Sequence, residues 1–278
     1  MPICLSCVAL WATVGTVGYF LYKKFYSSEK AEPEVQKKGW KKDVVYLYQF
    51  PRPKGLANYS PYCMKVEMFL RVNDIKYENV FTSFGRSKYG LLPFIELNGV
   101  HYADSQLIVE VLKDHFKIKQ VDSREEGFAR AVERLVDTHT CSLFIKYKFL
   151  EETGYFDSLA NLLGLKFPLS LLVAVMKPFI TKKVRGRVYT IVGGEFTEDE
   201  FHSLLKKDLN ALRDILGDRQ YLLGDKIHAV DCAVFSQLAT LCYLENNTEV
   251  KRLVAAEYPT LMQYQDRIIK KVFPAEFK

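Results

Sequence analysis

Ser60-Pro61-Tyr62-Cys63 lies at the centre of a stretch, Val44 to Ser105, from which the rest of the chain can be placed. An apolar run, Val44-Val45-Tyr46-Leu47-Tyr48-Gln49-Phe50, leads into a Pro-, Gly- and Asn-rich loop from Pro51 to Tyr59. Such continuous apolarity predicts a strand buried on both faces. Ser before Pro is the N-cap and N1 pattern that opens many helices. Over Tyr62 to Val72, Cys63, Val66 and Leu70 share one helical face, with Lys65 and Arg71 on others. A hydroxyl at that helix start sits beside unpaired backbone N–H groups at the positive end of the dipole. This setting favours a thiolate or another anion.

Working outward, Ile75 to Val80 alternates and predicts a second strand, and Thr82 to Gly90 reads as a loop. Leu92-Pro93-Phe94-Ile95-Glu96-Leu97 and Val100-His101-Tyr102 flank Asn98-Gly99, the strongest short-range hairpin signal. Asp104-Ser105 then opens a helix to His115, with Leu107, Ile108, Val111 and Leu112 available for a core. The predicted order is strand, helix, strand, Pro-led hairpin, helix.

That order, with these residues, resembles the thioredoxin-like domain of glutathione transferases. Ser60-Pro61-Tyr62-Cys63 is similar to a glutaredoxin Cys-Pro-Tyr-Cys site with Ser in place of the first Cys. The resemblance makes Leu92-Pro93 the cis-proline corner and Asp104-Ser105 the pair that holds the γ-glutamyl group of glutathione. It makes Ser60 the catalytic residue, whose hydroxyl hydrogen-bonds the glutathione thiolate and lowers its pKa. Read without the resemblance, Ser60 and Asp104 are N-caps and Pro93 opens a strand. Cys63 faces the core without a local disulfide partner, so dithiol chemistry is disfavoured.

Composition bounds the rest. The chain has 278 residues, 49% hydrophobic, enough for one large or two modest cores. The net charge is +6, but seven lysines against three glutamates between positions 23 and 42 account for four of those charges. The remainder is nearly balanced, so no nucleic-acid partner is implied. The six cysteines are scattered, which suggests neither a disulfide scaffold nor a metal site.

Ile3 to Tyr22 carries no charged side chain. Its length, roughly 20 residues, matches a bilayer-spanning helix, and Lys23-Lys24 follow. The expectation is an uncleaved single transmembrane helix with the bulk of the chain facing the cytosol. Ser27 to Lys42 is polar and Lys/Glu-rich and reads as an extended tether.

From Arg124 to Leu150 an apolar stripe predicts a helix carrying His139 and Cys141, with His139 read as a core or rim residue rather than a ligand. Glu151 to Gly194 is hard to decode. It reads as two short helices broken at Pro168, followed by the basic run Lys182 to Arg187. Thr197 with Glu200 is a capping box opening a helix that stops at Gly217. Leu222-Leu223-Gly224-Asp225 and Val230-Asp231 resemble the helical domain of glutathione transferases. Asp231 is expected to accept backbone N–H bonds at the helix start. Pro259 precedes a last helix to about Val272.

The expected fold class is therefore α/β plus all-α. The segments are a transmembrane anchor (1–24), a basic polar tether (25–42), a thioredoxin-like domain (43–119) and an all-helical domain (122–278). Gln49-Phe50-Pro51-Arg52-Pro53 and Ser60-Pro61-Tyr62-Cys63, with Lys65, Glu67, Arg71 and Val230-Asp231-Cys232, resemble a narrower branch. This is the failed axon connections group, related to metaxins and similar to nematode cadmium-responsive proteins. That resemblance implies membrane attachment, on a lysosomal or other endomembrane, and a stress or cadmium response. Two functions follow. One is a Ser-type glutathione transferase that conjugates or reduces apolar electrophiles, with glutathione as co-substrate and a homodimer as a candidate assembly. The other is a non-catalytic, membrane-tethered adaptor of metaxin type.

Overall fold

The protein is described by a computed structural model covering residues 33–83, 85–151, 169–243 and 249–278. Four strands, β1 (Val45–Gln49), β2 (Tyr77–Phe81), β3 (Phe94–Leu97) and β4 (Val100–Ala103), form one sheet in the order β2-β1-β3-β4. β1 pairs parallel with β2 and antiparallel with β3, and β3 pairs antiparallel with β4. The parallel pair requires a crossover, supplied by helix α1 (Pro61–Val72). β1 is buried at all five positions, as its apolar run requires. The hairpin turns at Asn98-Gly99, both in the left-handed region with φ of 51° and 77°. Helix α2 (Ser105–His115) closes this half.

The other half is helical. α3 (Ser123–Arg134) continues through a π turn (Leu135–Thr140) into α4 (Cys141–Lys146) and a second π turn (Tyr147–Glu151). Then come α5 (Leu169–Val192), α6 (Glu198–Leu216), α7 (Ala229–Cys242), α8 (Glu249–Glu257) and α9 (Pro259–Val272). α6 begins at the expected capping box: Glu200 N–H donates to Thr197 Oγ1, and the Thr197 N–H donates back to the Glu200 carboxylate at 2.8 Å. It ends at Gly217, φ 53°. α7 is buried from Val230 to Cys242, as a helix apolar all round must be. It packs against α1, α3, α8 and α9 and joins the two halves. Asp231 takes the expected role, accepting from Leu222 N–H and His228 N–H, both at 2.9 Å, and from the Tyr264 hydroxyl at 3.0 Å.

Two expectations are corrected. The single transmembrane helix and the single-pass placement do not stand: among the described residues no helix is long and apolar enough to cross a membrane. The segment from Ile3 to Tyr22, on which that reading rested, lies outside them. The longest described helix, α5, carries Lys177, Lys182, Lys183, Arg185 and Arg187, and one charge at mid-bilayer costs about 2.5–3.5 kcal/mol. Second, α5 is not short. It is a 24-residue helix that runs through Pro178, while the expected break at Pro168 falls outside the described residues. The described end of the tether segment is fastened to the sheet. Gln36 and Lys37 N–H donate to the buried Glu96 carboxylate at 2.7 and 2.9 Å, and Lys37 pairs with Glu78.

Candidate functional site

Tyr48 of β1 sits opposite Phe94 of β3, and Phe94 sits opposite Ala103 of β4. The three segments that leave this row emerge at one end of the sheet. After β1 comes the loop to Ser60, before β3 comes Leu92-Pro93, and after β4 comes Asp104-Ser105. Cys63 packs in one cluster with Tyr48, Leu92, Phe94 and Ala103. It thereby ties the first turn of α1 to the other two corners. Sheet register thus brings together residues more than 40 positions apart.

Ser60 is the N-cap of α1, half-buried, with extended backbone (φ −89°, ψ 117°). Its Oγ accepts from Cys63 N–H at 3.3 Å, which leaves the hydroxyl proton available to donate. Pro61 has no N–H, so Ser60 and the N–H of Tyr62 form the open start of the helix. The Leu92–Pro93 bond is cis, and both residues are buried. Asp104 lies at φ 74°, exposed, and its carboxylate accepts from Gln106 N–H at 2.9 Å and Leu107 N–H at 3.4 Å. Ser105 is 5% exposed. Asp104 caps the Gln106 and Leu107 amides, and the Ser105 N–H stands at the open start of the helix. The donor set is two helix starts and a cis-proline corner. Such a set suits a small peptide with a carboxylate at one end and a thiol on its middle residue, the arrangement in glutathione.

The described cysteines supply no competing thiol chemistry. Burial pushes the Cys63 thiol up to about 12, against the Ser60 and Phe50 hydrogen bonds, and Cys242 up to about 11. Burial also raises Cys141 and Cys232. Such thiols are poor nucleophiles. Among the described residues no group of three or more His, Cys, Asp or Glu is placed to hold a metal ion. The Tyr62 hydroxyl donates to the Asp137 carbonyl at 3.2 Å and lies 3.3 Å from Cys141 Sγ. The start of α1 therefore faces the first π turn of the helical half. A cavity of about 1960 Å³ lies elsewhere, between the end of α1, α2, α3 and the segment joining the two halves. Ser60, Leu92, Pro93, Asp104 and Ser105 do not line it.

Sequence reasoning missed the charges buried around this site. Lys65, assigned to a face away from the core, is 1% exposed and pairs with Glu133 and Asp137 of the helical half. Glu67 is fully buried between Arg52 and Arg71. Gln49 inside an otherwise apolar strand was the available signal, since a buried amide requires polar partners. His139, as expected, is a rim residue: its Nδ1 lies 2.8 Å from Asp208.

A thioredoxin-like sheet joined to a helical bundle, with a capped helix start beside a cis-proline, defines a glutathione transferase-like protein. Family models agree: the glutathione S-transferase N-terminal domain matches residues 61–154, and the C-terminal domain matches residues 205–268. The solved glutathione transferase of Ceriporiopsis subvermispora, in complex with glutathione, superposes with a TM-score of 0.56 at 14% identity. It covers 84% of this chain and 99% of its own. Isoprene-epoxide–glutathione S-transferase of Rhodococcus sp. is 25% identical over 82% of this chain and 99% of its own length. Failed axon connections of Drosophila melanogaster is 32% identical over 86% of this chain. The chain belongs to the failed axon connections group of glutathione S-transferase-like proteins. It spans 60% of the length of that Drosophila relative.

Proposed function

We propose that this protein binds glutathione and uses it as co-substrate against apolar electrophiles, as a transferase of the Ser type. The observation that carries the reading is the convergence of three backbone corners on one sheet end, fastened by Cys63 against Leu92 and Ala103. Ser105 and the cap at Asp104 hold the γ-glutamyl carboxylate, and the backbone of Leu92 pairs with the peptide. The Ser60 hydroxyl donates to the cysteinyl sulfur. The ordinary thiol is mostly protonated at neutral pH, and hydrogen bonding to the charged form lowers its pKa. The thiolate then attacks the electrophilic carbon of the second substrate. The bond to that carbon's leaving atom breaks, or an epoxide ring opens, and the departing oxygen takes a proton from water. The isoprene epoxide in the name of the Rhodococcus relative belongs to this substrate class.

The test is calorimetric titration of the full chain with glutathione. A Kd weaker than roughly 10 mM, about −2.7 kcal/mol, would refute the reading and leave a non-catalytic adaptor in its place. Ser60→Ala removes a hydrogen bond to a charged group, a loss of about 1.5–3 kcal/mol. The pKa of the bound thiol then rises by about 1–2, and turnover at neutral pH falls about 10–100-fold. An unchanged pH–rate profile would remove Ser60 from the mechanism.

A further inference from the structure

Gln49, Asn58 and Glu67 are polar side chains with no exposed surface. They join Ser60 to the far end of the chain through one run of hydrogen bonds. The Ser60 N–H donates to Asn58 Oδ1 at 2.9 Å. Asn58 Nδ2 donates to Gln49 Oε1 at 3.0 Å and to the Phe50 carbonyl at 3.1 Å. Gln49 Nε2 donates to Glu67 Oε2 at 2.9 Å. Glu67 Oε1 accepts from Arg52, from Arg71 at 2.9 Å and from the Tyr77 hydroxyl at 3.0 Å. Arg71 continues to Glu276 and to the Val272 carbonyl, and its guanidinium lies over the Phe273 ring. Arg52 returns to the loop, donating to the Ala57 carbonyl at 3.0 Å.

We propose that Glu276, acting through the Arg52–Glu67–Arg71 cluster, is a positioning residue for Ser60: the C-terminal turn holds the loop that aims the hydroxyl. The proposal rests on the glutathione reading of the site. The loop between β1 and α1 has its Phe50 and Ala57 carbonyls held by the side chains of Asn58 and Arg52. Its shape therefore follows those side chains. Two guanidinium groups face two carboxylates, Glu67 and Glu276, so the cluster is neutral only with the C-terminal turn in place. Burial alone would raise the Glu67 carboxyl, but the Arg52 hydrogen bond and charge, with Gln49 and Arg71, hold it below the usual range. Without Glu276, both cations compete for one carboxylate, and Arg52 is drawn off the Ala57 carbonyl. The Asn58 acceptor shifts with that carbonyl, and the Ser60 N–H shifts with Asn58.

The experiment compares Glu276→Ala, Glu276→Gln and Phe277→Ala in the full chain, each held well below its melting temperature. Phe277 packs on Phe235, Phe273 and Tyr243, so its loss removes packing from the C-terminal segment while the Glu276 carboxylate keeps its Arg71 partner. The first readout, amide hydrogen exchange at Ser60, needs no ligand. Glu276→Ala is expected to speed it about tenfold or more, and Phe277→Ala to leave it unchanged. Glu276→Gln, which keeps an acceptor for Arg71 but not the charge, should recover only part of the protection. The second readout is the pKa of bound glutathione by ultraviolet thiolate absorbance, expected to rise most in Glu276→Ala and not at all in Phe277→Ala. Unchanged Ser60 exchange in Glu276→Ala overturns the relay whether or not glutathione binds. Faster exchange in a chain whose wild type binds no glutathione supports the relay and overturns the reading of the site.

Discussion

Replacing Lys65 with Met is the sharpest test of how the two halves are held together. Lys65 lies on α1, and its ammonium sits between Asp137, 2.9 Å away, and Glu133, both from the helical half. The Asp137 side chain is 2% exposed, and its other oxygen accepts from Gln237 of α7 at 3.1 Å. Removing one partner of a buried ion pair costs about 3–5 kcal/mol, because the other charge stays buried. Arg134, 31% exposed and 3.3 Å from Asp137, takes up part of that charge, so the cost falls near the lower end, about 3 kcal/mol. At about 2–4 °C per kcal/mol for a chain of this size, the melting temperature drops by about 6–12 °C. Urea unfolding of Lys65→Met measures the loss directly. Adding Asp137→Asn, which keeps an acceptor for Gln237 but removes the charge, should recover about 1–2 kcal/mol. The reasoning is refuted if Lys65→Met costs less than about 1 kcal/mol, or if the second substitution only adds to the loss.

Other outcomes follow from single sites. Asp231→Ala leaves two backbone N–H groups unpaired in the core and leaves the Tyr264 hydroxyl only the carbonyl of residue 231, at 3.4 Å, at about 3 kcal/mol or more. Denaturant midpoints read this, and a near-neutral change would contradict the assignment. Gly99→Ala puts a Cβ 3.1 Å from the Trp40 ring at φ 77°. The expected loss is about 1–2 kcal/mol with altered Trp40 fluorescence, and an unchanged spectrum counts against that contact. Burial would raise both Glu67 and Glu133, but Arg52 and Lys65 respectively hold them below the usual carboxylate range. A depressed carboxyl contributes stability above its unfolded pKa, about 4.3, and that stability is lost as pH falls through the folded value. Melting temperature should therefore decline below about pH 4.3, and a flat profile down to pH ~3 would exclude this.

The strand, helix, strand, hairpin, helix order was legible because local chemistry dictates each piece. Ser60-Pro61 starts a helix, Asn98-Gly99 turns a hairpin, and Thr197 with Glu200 caps the next helix whatever surrounds them. Asp231 was legible for the same reason, since its backbone partners Leu222 and His228 lie just before it in the chain, and only Tyr264 reaches it from a distant helix. The π turns in the helix from Ser123 to Glu151 were not legible, because their sequence carries the same periodicity as ordinary helix. The apolar run from Ile3 to Tyr22 suggested a membrane span; it lies outside the described residues, and among those no helix is long and apolar enough to cross a membrane. Apolar length is a requirement for a span, and by itself it is no proof of one.

By itself the sequence determined the elements and the three corner motifs, since capping, turn conformation and periodicity act over a handful of residues. Only the tertiary structure decided that Ser60, Leu92-Pro93 and Asp104-Ser105 share one end of the sheet, because strand register alone brings them there. It also decided that Lys65 and Glu67 are buried. A charged side chain leaves water only when opposite charges from distant segments meet it, here Glu133 and Asp137 for one and Arg52 and Arg71 for the other.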